Sequence, residues 1–322
     1  CCVGWWKAFA RSVATAFAHS KAVLRSFVGA LPVLRPLVRK LAFRRARALV
    51  HDLGATLERR DDVLWLTRNG RTIVLADAHL PFAPEIAAAF DDFFGAVEAT
   101  TDNRRRDFSM PAEHHAAALG GPFWLSSPIE GMRVLEQYAS EMRPSAGDCV
   151  FDLGANCGLS TVMLARLVGP TGAVHAWEPD PGNRAMLERN VARYAPTIAV
   201  VHPEAIGGRA GRRSFNAEAS LGAGFAALVP RAGLAPVIDV PVVTLEGAAQ
   251  RAGRIPTSIK MDVEGAELEI VEAARSWLQV HRPTLVIDTN QGIGAHIFDL
   301  VTQGGELFAV DPIARKQNQS TR

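Results

Sequence analysis

The sequence predicts an α/β protein: a mostly parallel sheet with helices on both faces, preceded by a helical extension and a small α+β region. Three observations predict it. From Cys149 onward, β-prone runs ending at Asp152, Glu178, His202, Asp262 and Asp288 alternate with helical patterns around 159–168, 182–194 and 266–279. The run Val150-Phe151-Asp152-Leu153-Gly154-Ala155-Asn156-Cys157-Gly158 passes from a hydrophobic strand into an acidic, glycine-punctuated turn, and Leu159, Val162, Met163 and Leu167 then repeat at helical offsets. Finally, four strand ends carry an acid. Ligands of open α/β sheets sit outside the carboxyl ends of the strands, so Asp152, Glu178, Asp262 and Asp288 fall on one rim.

At 322 residues and 48% hydrophobic, the chain can bury a substantial core as one large α/β domain with an extension, or as two small domains. Four units are expected: an extension over 1–50, an α+β region over 51–127, the α/β domain over 128–311 and a tail over 312–322. The net charge of +2 conceals an asymmetry. Residues 1–50 hold ten Lys or Arg and no acid, leaving 25 basic and 33 acidic side chains beyond them, a net of −8. Phe9, Val13 and Phe17 form one stripe of the extension, Trp5 and Trp6 sit beside Lys7, and Pro32 and Pro36 mark breaks. A basic amphipathic helix with tryptophans suits an anionic membrane surface. The same pattern suits a solvated extension, a cap on the core or on a second subunit, or an Arg-rich transit segment. No uncharged apolar run approaches the ~20 residues that span a bilayer. A cytoplasmic protein is expected, with peripheral membrane contact through 1–50 as a second reading.

Two β-prone runs flank Asn69-Gly70 and predict a hairpin over 63–75 with a type I′ turn. A helical piece follows around Pro84–Val97, then a charged linker, Thr101 to Asp107. His114 and His115 are placed in a short Ala-rich helix, on different faces and so as a surface pair rather than a metal site. Residues 128–143 read as a helix leading into the first core strand. After Asp288 a helix around 296–301, a Gly304-Gly305 turn and a last strand, Leu307 to Val310, are expected. Cysteines at 1, 2, 149 and 157 have neither metal-ligand nor disulfide-framework spacing.

The second strand, Ala173 to Trp177, ends in Glu178, twenty residues after Gly158. Strand, glycine turn, helix, strand and terminal acid is the layout of a nucleoside-binding unit. The glycines fall as G-x-x-x-G rather than G-x-G-x-x-G, and Asp152 would meet a pyrophosphate unfavourably. An acid there suits a ligand with a cationic amino-acid end, such as S-adenosylmethionine. On that reading Gly154 and Gly158 let the backbone approach the ligand, and the amino end of helix 159–168 receives a carboxylate. Asp152 acts on the ammonium directly or through water, Asn156 adds a donor or acceptor, and Glu178 accepts both ribose hydroxyls. Each has a plain competitor, because strand-end acids are often only solvated and glycines often only end strands. The segment Lys260-Met261-Asp262-Val263-Glu264-Gly265-Ala266-Glu267 closes the fourth strand and opens a helix. Glu264 and Glu267 would stabilise that helix's amino end, or three acids and a lysine at the rim would serve the ligand.

These residues, with Glu178-Pro179 and Val243-Thr244-Leu245-Glu246, resemble the FkbM-type methyltransferases, S-adenosylmethionine-dependent enzymes of the class I, Rossmann-like fold. The resemblance covers roughly residues 130–311. It departs at Glu246, where members commonly carry Asp, and at Asp288, where they commonly carry Glu. It implies methyl transfer to oxygen, often a hydroxyl of a sugar, polyketide or other secondary metabolite. Asp262 is the first choice of base or positioning group, also touching cofactor; Glu264 and Glu267 come next, and Lys260 pairs with one of them. No resident metal is expected, although Asp262, Asp288 and Asn290 offer a Mg²⁺ variant. The rivals are transfer to nitrogen or to a lipid or glycan head group, a nicotinamide oxidoreductase, and a non-catalytic binding module. A small-molecule acceptor is expected and a specific nucleic-acid partner is not: the body is acidic, and no asparagine-proline-proline-aromatic element occurs.

Overall fold

The computed structural model describes residues 35–98, 103–117, 119–129, 132–219, 223–226, 236–288 and the backbone of 307–310. The stripe through Phe9, Val13 and Phe17, the helix at 296–301, Asn290 and the tail lie outside the described residues.

The chain enters through helix α1 (Arg35–Asp52), followed by strands β1 (Thr56–Arg60), β2 (Val63–Arg68) and β3 (Arg71–Ala76). The β2–β3 hairpin turns at Asn69 and Gly70, both at positive φ (52° and 72°), as its Asn-Gly pair dictates. A 3-10 turn (Asp77–Phe82) and helices α2 (Ala83–Ala88) and α3 (Phe90–Gly95) lead to β4 (Arg105–Phe108), which adds parallel to β3. Helix α1 crosses the expected boundary at residue 50, because Ala46 and Val50 are buried in the same core as Leu64, Ile73 and Phe90.

Several local expectations are overturned. The arginine-rich linker is partly strand β4, because Arg106 is buried with its guanidinium 4.1 Å from the Phe94 ring and Nε donating to the Val97 carbonyl at 3.0 Å. His114 and His115 lie not in a helix but in β5 (Ala112–Ala116), paired antiparallel with β6 (Gly121–Leu125). Cross-strand contact with Phe123 and Pro122 overrides the helix preference of the flanking alanines.

After α4 (Met132–Met142) the main sheet begins: β7 (Cys149–Leu153), α5 (Leu159–Val168), β8 (Ala173–Trp177), α6 (Pro181–Tyr194) and β9 (Ala199–His202). A small sheet follows, from β10 (Ala205–Ile206), β11 (Gly211–Asn216) and β12 (Val237–Val243), and then α7 (Leu245–Ala252). Thr244 caps α7, its hydroxyl accepting from Gly247 N at 3.1 Å. The chain returns through β13 (Ser258–Met261), α8 (Glu267–Ala273), α9 (Arg275–His281), β14 (Thr284–Asp288) and β15 (Leu307–Val310). The single helix expected over 266–279 is two, bent at Ala274 (φ −89°, ψ 4°), where both halves seat small or apolar side chains on the sheet.

The main sheet runs β15-β14-β13-β7-β8-β9, every neighbour parallel. This is the predicted parallel α/β architecture, with helices on both faces of the sheet. Alternation divides β7 between the layers: Val150 faces α4, α5 and α6, while Phe151 and Leu153 face the small sheet and α7 to α9. Strand order reverses between β7 and β13, so the rim opens there. The amino-terminal region packs onto the same body, its core continuous with Cys157, Leu159, Val162 and Met186. Among the described residues no helix is long and apolar enough to cross a membrane.

Candidate active site

At the carboxyl ends of β7, β8, β9 and β13 lies an open cleft of about 540 Å³. Of the candidate residues, Gly154, Asn156, Glu178, Asp262 and Glu264 line it; Asp152, Gly158, Lys260 and Glu267 lie behind it. The division follows from which groups find partners inside the protein.

Asp152 is fully buried. Its Oδ2 accepts from Ser160 Oγ at 2.8 Å and Thr161 Oγ1 at 2.6 Å, and its Oδ1 lies 3.3 Å from Lys260 Nζ. The sequence predicts contact with a ligand's ammonium directly or through water; in the structure the carboxylate is turned to these internal partners. Register explains it: Lys260 stands opposite Asp152 on the adjacent parallel strand, so both side chains leave the same face. Lys260 Nζ also donates to the Gly154 carbonyl at 2.7 Å and approaches Asp262 Oδ2 at 3.6 Å. Burial opposes its charge, but Asp152 and Asp262 outweigh burial and hold the ammonium above its ordinary pKa. The lysine therefore ties the glycine turn to the rim acid.

Gly154 (φ 78°) has no room for a side chain, since a Cβ would lie 1.7 Å from the Asp262 carbonyl oxygen. A Cβ on Gly158 (φ 86°) would instead meet Leu187 Cδ1 at 2.4 Å, so that glycine serves the packing of α5 on α6. Asn156 (φ 49°) closes the turn with its Oδ1 accepting from Cys157 N at 2.6 Å.

Glu178 sits at the centre of the cleft, nearly buried. Its Oε2 accepts from Asn156 N and its Oε1 from Asp180 N, both at 2.8 Å. Burial, then the neighbouring Asp180, push its pKa up to about 8; the two N–H donors and Lys260 pull the other way. Glu267 is buried, its Oε1 accepting from Val263 N at 3.1 Å and Gly265 N at 3.2 Å, and burial raises its pKa. It fixes the loop that carries Asp262 and Glu264, rather than facing the cleft.

The sequence reading missed Trp177, Asn183, Glu204, Ile206, Phe215 and Phe225 in the cleft wall. Glu204 pairs through Oε1 with Arg251 at 3.2 Å, while its buried Oε2 has no hydrogen-bond partner. Its position two residues past the strand end at His202 was the available signal. Phe215 and Phe225 meet edge to face at 6.0 Å on the small sheet, which only long-range pairing creates. Among the described residues no Lys or Arg lines the cleft, whereas four acidic side chains do: Glu178, Glu204, Asp262 and Glu264. That lining suits a cationic ligand and opposes a pyrophosphate. Among the described residues no three His, Cys, Asp or Glu converge as metal ligands, and Asn290 lies outside them.

Residues 152–308 match the family described as the Methyltransferase FkbM domain. Over this segment the chain is similar to FkbM-type methyltransferase domains. The chain is 38% identical over 91 residues to the 31-O-demethyl-FK506 methyltransferase FkbM of Streptomyces tacrolimicus, covering 28% of this chain and 34% of that protein. It is 30% identical over 133 residues to the AMB antimetabolite synthetase AmbE of Pseudomonas aeruginosa, covering 41% of this chain and 6% of that one. The chain thus spans about a third of one curated relative and a small fraction of the other. Among solved structures, a SAM-dependent methyltransferase from Agrobacterium tumefaciens aligns over 80% of this chain and 81% of that one, at 8% identity and TM-score 0.37. The family's methyl donor, S-adenosylmethionine, fits the FkbM-type cleft. Its sulfonium and ammonium would meet an acidic lining, Glu178 would be available to hydroxyls, and the Glu204 Oε2 without a hydrogen-bond partner would offer an acceptor beside an apolar, aromatic wall.

Proposed function

We propose that the protein is an O-methyltransferase acting on a hydroxyl of a sugar, polyketide or other secondary metabolite. The observation that carries this reading is the lining itself: four acidic side chains, no cation among the described residues, and in Asp262 a side chain that is 31% exposed. Bound S-adenosylmethionine supplies an electrophilic methyl group on a sulfonium. Glu178 keeps lone pairs for the ribose hydroxyls beside its two backbone donors, since a carboxylate offers about four acceptor sites. Asp262 receives the proton of the acceptor hydroxyl or orients it, with Lys260 holding it on one side. Glu264 stands on the same rim. The rest of the barrier is lowered by alignment of donor and acceptor, which the lysine-tied turn makes rigid. The Streptomyces relative's name places its methylation on an oxygen, which supports oxygen over nitrogen.

Calorimetric titration with S-adenosylhomocysteine, alongside NAD, tests the cofactor half. Micromolar binding of the former is expected, weakened in Glu178→Ala by about 1–3 kcal/mol, the loss of two ribose hydrogen bonds. Unchanged affinity in the variant would remove Glu178 from the ribose. For the acceptor half, Asp262→Asn should lower turnover with cofactor affinity nearly intact; a parallel loss of binding would make Asp262 a cofactor ligand.

A further inference from the structure

Helix α1 is not used by the chemistry of the cleft, yet its two faces differ sharply. The inner face is settled: Ala42, Phe43, Ala46 and Val50 pack into the amino-terminal core, and Arg59 lies 4.7 Å over the Phe43 ring. The opposite face carries Leu37, Leu41, Arg44, Arg45 and Ala48, at offsets of zero, four, seven, eight and eleven, with Lys40 on its flank. Leu37 and Leu41 are 54% and 55% exposed. Every one of Arg39, Lys40, Arg44, Arg45 and Arg47 is exposed, and among the described residues none pairs with an acid. The helix contains no acid before Asp52.

We infer that the outer face of α1 docks the protein on an anionic lipid surface. Charge complementarity is the first reason. The chain beyond residue 50 is net acidic, so the cations of α1 stand as a concentrated positive strip on an otherwise acidic body. The interleaved leucines are the second. Against a nucleic-acid backbone exposed leucines contribute nothing, whereas at a bilayer they enter the acyl boundary while Arg and Lys stems extend to the head groups. Rigidity is the third, because the helix is already folded and anchored through Ala46 and Val50, so docking requires no ordering of this segment. The inner neighbour of α1 is α2, and burial and then the charge of Asp262 raise the pKa of Glu85 on α2.

The test sediments the full chain with vesicles of phosphatidylcholine alone or with about one-third phosphatidylglycerol, at ~0.05 M and ~0.5 M salt. Binding to the anionic vesicles at low salt, with release at high salt and none to neutral vesicles, is expected. Reversing Arg44 and Arg45 together to Glu should cut partitioning at least roughly tenfold, and Leu37→Ser with Leu41→Ser by a similar factor. Both variants should keep the parent melting temperature, since these side chains leave the core untouched. Absence of sedimentation overturns the inference. So does binding that ignores both α1 variants. A third overturning result is capture of RNA that depends on Arg44 and Arg45 but not on the leucines.

Discussion

Glu178 carries the tension between binding and stability at the level of one side chain. Its folded pKa of about 8 lies well above that of a carboxyl in the unfolded chain, because burial and Asp180 disfavour the charge. A raised folded pKa gives a contribution that is complete below the unfolded value and lost as pH rises through about 8. Unfolding free energy should therefore fall between pH ~4.5 and ~8 and level off above. Urea titrations across that window in the parent and in Glu178→Gln would read it, the variant showing a flatter profile; an identical slope would sink the assignment. The sequence named Glu178 through its place after the second strand, and the structure puts it in the cleft lining. It could not assign Asp152 and Lys260, 108 residues apart, to one another: a strand-end acid facing solvent and one facing a buried ammonium are spelled alike.

The two elements at the heart of the cleft, the turn after β7 and the loop after β13, are built against one another. Gly154 N and Ala155 N both donate to the Trp177 carbonyl at 3.0 Å, and Asp262 N donates to the Leu153 carbonyl at 3.0 Å. Gly154→Ala would add strain at positive φ, about 1–2 kcal/mol, and would push a Cβ into the Asp262 carbonyl. The expected result is a lower melting temperature together with weakened S-adenosylhomocysteine binding; a normal titration would show that the β13 loop yields without cost. The glycines were legible from spacing, but their roles were not. Gly154 clears a neighbouring backbone and Gly158 clears α6, and neither obstacle is near in sequence. The β10-β12-β11 sheet escaped notice for a related reason, its pairings joining residues some thirty apart across a connection with no helical period.

Taken as a whole, the molecule couples its amino-terminal region to the α/β domain through buried amides, Asn183 and Asn190, as well as through apolar contact. Asn190 on α6 accepts from Trp124 N at 2.9 Å and donates to the carbonyls of Trp124 at 2.9 Å and Cys157 at 2.8 Å, bridging β6 and the cofactor turn. Asn190→Ala strands these partners, at about 1–3 kcal/mol for a buried group left unsatisfied. Because the hydrophobic cluster spanning both regions remains, denaturation should stay a single transition, shifted down; two separated transitions would mean that the regions are independent. The sequence by itself determined the parallel α/β body, the alternation of its main-sheet strands with helices, the Asn-Gly hairpin, and the acids and glycines at the rim, because alternation, helical period and turn chemistry are local signals. Only the tertiary structure decided which acids face the cleft, that Lys260 neutralises Asp152, that Glu204, Phe215 and Phe225 complete the wall, and that α1 belongs with the α+β region. Those outcomes depend on register between distant strands and on which buried charge finds a partner, and no stretch of sequence encodes either alone.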